Sequence, residues 1–209
     1  GAAIIPASQA KTQIGWFQKY TGEHEESLSH TLYSVGIAER AGDPFTEVLA
    51  RVGAGHSLLA LGRDDDAIEM VGVAHKLAID VGYDAALPHA VGVLSLALAR
   101  AGRTDDSLKR LEDWMGMERW KRTGKLELFY IQLAHAEALW RSHRISDGVA
   151  AINEGLAVAE SIGNPALRIE GLTTKALILE TYDQPDPRVT ETRAERDELG
   201  RTYDLFTWS

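Results

Sequence analysis

Two interleaved series of glycines run through the chain at a common spacing. Gly22, Gly62 and Gly102 lie 40 residues apart, and the next position of that series falls at His143-Arg144. Gly42, Gly82, Gly124 and Gly163 form the second series, at spacings of 40, 42 and 39. Each falls where an apolar helical pattern stops, the position at which a left-handed residue closes a helix. A chain punctuated in this way builds helix pairs that cannot bury their own faces alone, so they must stack.

The stretch Pro44–Tyr83 is the clearest unit. Its first helix carries Val48, Leu49, Val52, Leu58, Leu59 and Leu61 at three- and four-residue steps, and its second carries Ile68, Val71, Leu77 and Ile79. Asp64, Asp65 and Asp66 open the second helix, where acids complement the dipole and Asp64 is expected to cap. Thr104-Asp105-Asp106 repeats that opening, and Pro44 and Pro165 suit the first turn of a helix. The pattern predicts helices near 8–21, 24–41, 44–61, 64–81, 85–101, 104–122, 125–142, 145–162 and 165–181, a break at 182–187, and a charged helix near 188–199. No β-branched alternation competes. The last helix is mostly Arg and Glu, as a solenoid end facing water requires. The tail, with Leu205, Phe206 and Trp208, reads either as an end or as the start of a truncated helix. One domain over 1–209 follows, with units at 8–42, 43–82, 83–123, 124–163 and 164–200 and a tail at 201–209.

The net charge of −9 argues against a general nucleic-acid surface, which needs a basic face. The absence of cysteine removes disulfides, thiolate metal sites and thiol nucleophiles. No apolar run reaches the roughly 20 residues of a membrane span. The opening GAAIIPASQA is a poor signal peptide, and Gly1 without an initiator Met suggests a tag remnant or an excised piece. A cytoplasmic protein is the default expectation.

Small residues recur at fixed places in the units. Gly55, Gly62, Ala67-Ile68 and Ala74 mark the second unit; Gly15, Gly22, Ser27-Leu28 and Ser34 mark the first. Ser95, Gly102 and Ser107-Leu108 mark the third, with Trp114 in place of the last small residue. Ala136, Gly148-Val149 and Gly155 mark the fourth, with His143 at the turn. This pattern resembles the tetratricopeptide repeat, in which small residues let two antiparallel helices approach. The period near 40 exceeds the usual 34, and most of the repeat's usual Trp and Tyr are missing. Gly42-Asp43-Pro44 and Gly163-Asn164-Pro165 look like the long units of bacterial maltose-activator-type regulators and cyclase-associated repeat arrays. The resemblance implies an all-α, right-handed superhelix of about five helix-turn-helix units. It also implies a noncatalytic interaction or effector-sensing module in a signalling or transcriptional regulator.

In such repeats the first helices line a concave surface. Carried over by position, that surface holds Trp16, Lys19 and Tyr20, then His56, then His89 and Arg100, then Tyr130, Glu137, Trp140 and Arg141, and last Glu170. Aromatics and arginines on one face suit a peptide, protein or small effector. Packing between repeats is the alternative use of Trp16, Tyr130 and Trp140. The rival classes are an enzyme housed in the groove and a scaffold that self-associates through its terminal helices. A pocket of converging His, Glu and Arg would favour the enzyme, and a long open groove the binder.

No signature of bound chemistry competes. His24 and His30 lie six apart, on different helix faces, and HEES is not a zinc-protease pair. His56, His75, His89, His135 and His143 lack ligand spacing along a helix, although stacking of repeats can bring His56 near His89 or His135. We therefore expect neither metal nor cofactor. Val52-Gly53-Ala54-Gly55-His56-Ser57 lacks the lysine and preceding strand of a phosphate loop and reads as a helix crossing. Leu108–Lys125 interleaves Trp114, Trp120, Met115 and Met117 with Lys109, Arg110, Arg119, Lys121 and Arg122. The acids in the same stretch dilute the field, and a long outer helix with Leu108, Leu111, Trp114 and Met115 inward is the expected reading.

Overall fold

A computed structural model describes residues 4–181 and 186–205, apart from the side chains of residues 4–9, 16, 17, 19 and 119. Among the described residues there are ten α-helices: α1 (Ile4–Thr21), α2 (His24–Ala41), α3 (Pro44–Ala60), α4 (Asp64–Asp80), α5 (Leu87–Arg100), α6 (Thr104–Met115), α7 (Lys125–Arg141), α8 (Ile145–Ile162), α9 (Pro165–Leu179) and α10 (Pro187–Tyr203). A short 3-10 helix, Glu118–Arg122, lies between α6 and α7. No described residue is in a strand, and no described helix is long and apolar enough to cross a membrane.

Local chemistry sets the ends. Gly22, Gly42, Gly62, Gly82, Gly102 and Gly163 all have positive φ, and His143 takes the same conformation where the series lacks glycine. The turns after α3, α5 and α7 are copies of one another. The N–H of Arg63, Arg103 and Arg144 reaches back to the carbonyl of Leu58, Leu98 and Leu139 at 2.9, 2.8 and 2.9 Å. Each of those arginines then pairs with an aspartate three residues on, Asp66, Asp106 or Asp147. Pro44, Pro165 and Pro187 each begin a helix, and the side chains of Asp43, Asn164 and Asp186 accept from the first free N–H groups.

Helix pairs close where small residues cross. Positions twelve apart meet in three units: Gly15 with Ser27, Ser95 with Ser107, and Ala136 with Gly148. Ser27 and Ser107 donate to the carbonyls of Gly15 and Ser95, each at 2.7 Å. A Cβ on Gly148 would stand 3.1 Å from the Ala136 carbonyl, and one on Gly55 only 2.2 Å from Val71 Cγ2. The glycine-rich stretch of α3 is thus a helix crossing. Each first helix packs on the next first helix and on the preceding second helix, while the second helices stay on the outside. α5 is buried along its length from Leu87 to Ala99.

The structure departs from the sequence reading in four places. α6 stops at Met115: Trp114 and Leu111 are buried as expected, but Gly116 ends the helix and Met117 turns extended. Gly124 accordingly does not close a helix by left-handed turn; it is extended and precedes α7. Asp64 is not a cap, because Arg63 holds that position and Asp64 begins the helix. Ile79, expected on the buried stripe, is 54% exposed. Phe206 and Trp208 lie outside the described residues.

Candidate functional site

The inner face is built from repeat-equivalent positions. His56, Leu96, Glu137 and Leu177 occupy one position in α3, α5, α7 and α9, at steps of 40, 41 and 40. Leu49, His89, Tyr130 and Glu170 occupy a second position seven residues earlier. Seven residues is about two helical turns, so both rows face the same way. Arg100 and Arg141 form a third row one turn beyond the first.

One end of this face is packed shut. His56 and His89 share a hydrogen bond, Nε2 to Nε2 at 2.9 Å, so one ring must donate and the other accept. Tyr130 lies against both, with ring centroids at 4.5 and 5.1 Å. Its hydroxyl meets that of Tyr20 at 3.2 Å and also bonds Glu170. Burial, with Glu170 and Tyr20 beside it, drives the Tyr130 pKa well above the ordinary phenol value. The remaining void among these side chains is about 20 Å³. His56 has therefore met His89, as stacking of repeats allowed, but the two nitrogens face each other too closely for a metal between them. Zinc would hold each nitrogen at about 2.0 to 2.1 Å from itself. Among the described residues no three His, Asp or Glu side chains gather as a metal site.

The other end is open and charged. A cavity of about 300 Å³ is bounded by His56, Leu59, Arg100, Glu137, Trp140, Arg141, Glu170, Thr173, Thr174 and Leu177. Glu137 is 3% exposed and its Oε1 accepts from Arg100 Nε and Nη2 at 2.9 and 2.6 Å. Its Oε2 accepts from Arg141 Nε at 3.4 Å. Burial works against the Arg100 charge, and the Glu137 carboxylate more than offsets it, so the Arg100 pKa lies above its ordinary value. Arg141 is held more loosely, over the Trp140 ring at 5.0 Å, and Trp140 Nε1 donates to Thr181.

Of the expected inner-face residues, Tyr20, His56, His89 and Tyr130 form the packed end, and Arg100, Glu137, Trp140 and Arg141 wall the cavity. The side chains of Trp16 and Lys19 lie outside the described ones. Sequence reasoning missed Thr173, Thr174 and Leu177, although Leu177 follows from shifting His56 along the repeat. It also missed Asp64. Burial raises the Asp64 pKa; among the charges beside it, Arg100 and Arg141 lower it and Glu137 raises it. Its Oδ1 is enclosed without a hydrogen-bond partner.

No protein-family model matches the sequence, and no curated protein matches it. Solved structures do match in shape. A kinesin-light-chain-related protein of Podospora anserina with nearly identical TPR-like repeats superposes with a TM-score of 0.57. It shares 13% identity over 93% of this chain and 96% of its own. A single-substitution variant of that protein matches with the same TM-score, at 12% identity over 94% and 95% of the two chains. The chain is a helical repeat array with the fold of the TPR-like solenoids.

Proposed function

We propose that the chain is a noncatalytic interaction module that takes a short peptide segment, through one carboxylate, in the cavity beside Arg141. The observation that carries this is the division of labour between two arginines. Arg100 is committed to Glu137, whereas Arg141 makes one long bond to it and is otherwise spread over Trp140. An arginine stacked on an indole, part exposed and part engaged, is a ready partner for a carboxylate fork. A cavity of this size suits a side chain or a chain terminus, not a whole partner helix. The packed end beside it supplies rigidity, so binding orders little.

The gathering of His56, Glu137 and Arg100 would also suit an enzyme, but its basic atoms are occupied. The Glu137 carboxylate is neutralised by the arginines, and the His56 Nε2 is bonded to His89. A small anionic effector is the second reading, favoured by the modest size of the cavity, about 300 Å³. The test is binding of peptide libraries with free and amidated C-termini, followed by Trp140 fluorescence. The expected result is binding that needs a carboxylate and weakens about tenfold in Arg141→Ala with the melting temperature retained. Affinity unchanged by that substitution would remove this assignment.

A further inference from the structure

The inner cavity carries opposite charges at two levels of the array, on two different helices. Arg141, on α7, is 36% exposed along its side chain, and Leu177, on α9, is 44% exposed, so this stretch of the cavity is open to solvent. Glu170 lines the same cavity from α9 and is half-buried. The repeat fixes its level. Glu170 is equivalent to Tyr130, and Arg141 lies eleven residues beyond Tyr130. Eleven residues of helix advance about 16 Å, and two long side chains that reach into one cavity shorten the gap between their charges. Leu177 is equivalent to Glu137, four residues short of the Arg141 level, and makes the middle apolar.

The charges of the described lining side chains cancel: Arg100 and Arg141 stand against Glu137 and Glu170. Asp64 lies in the field of both arginines and adds negative charge when ionised. A ligand bringing a carboxylate alone would leave the filled cavity with an excess of negative charge, which is costly where water is displaced. A ligand that also brings a cation leaves no such excess. Glu170 offers that cation an anion. Its carboxylate accepts from the Tyr130 hydroxyl, and a carboxylate has about four lone-pair sites, so acceptor capacity remains. Arg100, whose field also reaches Glu170, gives its short bonds to Glu137. Between the two levels the Thr173 hydroxyl donates to the Ile169 carbonyl at 2.9 Å and keeps its lone pairs for an N–H.

Resting on the carboxylate reading above, we infer that the ligand is a short free peptide, about three to four residues long, whose C-terminal carboxylate meets Arg141 and whose N-terminal ammonium meets Glu170. An extended chain covers about 3.3–3.6 Å per residue, so this length reaches about 10–14 Å, within the roughly 16 Å between the two helix levels. An ammonium against Glu170 makes a charge-assisted bond, stronger than one between neutral groups. A longer chain has no ammonium to place at that level, which separates this ligand from the C-terminus of a folded partner protein.

The probe is the tripeptide Ala-Leu-Ala, titrated by calorimetry into the full chain at about pH 6.5, where an α-amino group of pKa about 7.7–8.0 is charged. It is compared with its N-acetylated form, its C-amidated form, and a form extended by a run of alanines at the N-terminus. The free tripeptide is expected to bind tightest, with acetylation, amidation and extension each weakening it about tenfold. Glu170→Gln keeps an acceptor for Tyr130 and removes the charge, so it should bind the free and acetylated forms equally, with the melting temperature retained. Acetylated or extended peptide binding the parent protein as tightly as the free one would overturn this inference and leave the carboxylate reading standing. A preference for the free amine that survives Glu170→Gln would overturn it too. Binding indifferent to amidation, or no binding by any form, removes the carboxylate reading and this inference with it.

Discussion

Arg100 gives two N–H groups to one oxygen of Glu137, at 2.9 and 2.6 Å, and so joins α5 to α7 at the mouth of the inner cavity. The pair is asymmetric in exposure: a quarter of the Arg100 side chain reaches solvent, and almost none of Glu137 does. Removing the acid therefore strands a mostly enclosed cation, while removing Arg141 takes one long bond from a carboxylate that keeps Arg100. Glu137→Ala is expected to cost about 3 kcal/mol, the low end for breaking a buried pair. Arg141→Ala should cost less than about 1 kcal/mol. Urea titrations of both variants measure the difference.

Gly55 tests the helix crossing. An added methyl would overlap Val71 Cγ2, which sits in the second helix of the same unit. Gly55→Ala should destabilise by about 1–3 kcal/mol through overpacking. Adding Val71→Ala opens the space, so the double variant should be less destabilised than the sum of the two single ones. A strictly additive cycle would show that these residues do not press on each other.

His143 carries a positive φ of 62° in a turn whose counterparts are glycines. A side chain in that conformation is strained by roughly 1–2 kcal/mol, and part of any relief is returned as chain entropy in the unfolded state. His143→Gly is expected to gain about 0.5–1 kcal/mol, a melting shift of a few degrees. Calorimetry of the two proteins reads it directly.

Asp64 supplies the pH dependence. Burial raises its carboxyl pKa above the ordinary value, so the folded state binds this proton more tightly than the unfolded chain does. The penalty is absent below the unfolded pKa, grows as pH rises through the folded one, and stays constant above it. Asp64→Asn should therefore melt higher than the parent at neutral pH, with the gain vanishing toward about pH 3. A gain of equal size at both ends would assign the effect to something other than this proton.

What the sequence revealed follows from which constraints are local. The turn glycines, the small residues twelve apart and the Asp-Pro starts act within one unit, and all were legible there. His143 was visible only as a gap in a series, and its left-handed turn restores the series. The inner-face residues were legible as a face because a period of 40 maps one position onto the next. That the face closes on itself at Tyr20 and Tyr130 was not, because curvature sums small rotations at every interface. The early end of α6 was hidden by Trp114 and Met115, which continue the helical pattern right up to Gly116.

The meeting of Tyr20 with Tyr130 spans 110 residues and passes over two helix pairs. In an open solenoid each unit feels only its neighbours, and the ends can fray one unit at a time. A hydroxyl contact from the first unit to the fourth adds a link that packing between neighbouring units does not contain. Its closure comes late in folding, after the intervening loop entropy has been lost. Once made, it ties the end of the first helix to the seventh, so fraying of the first unit must also give up this bond, about 1 kcal/mol.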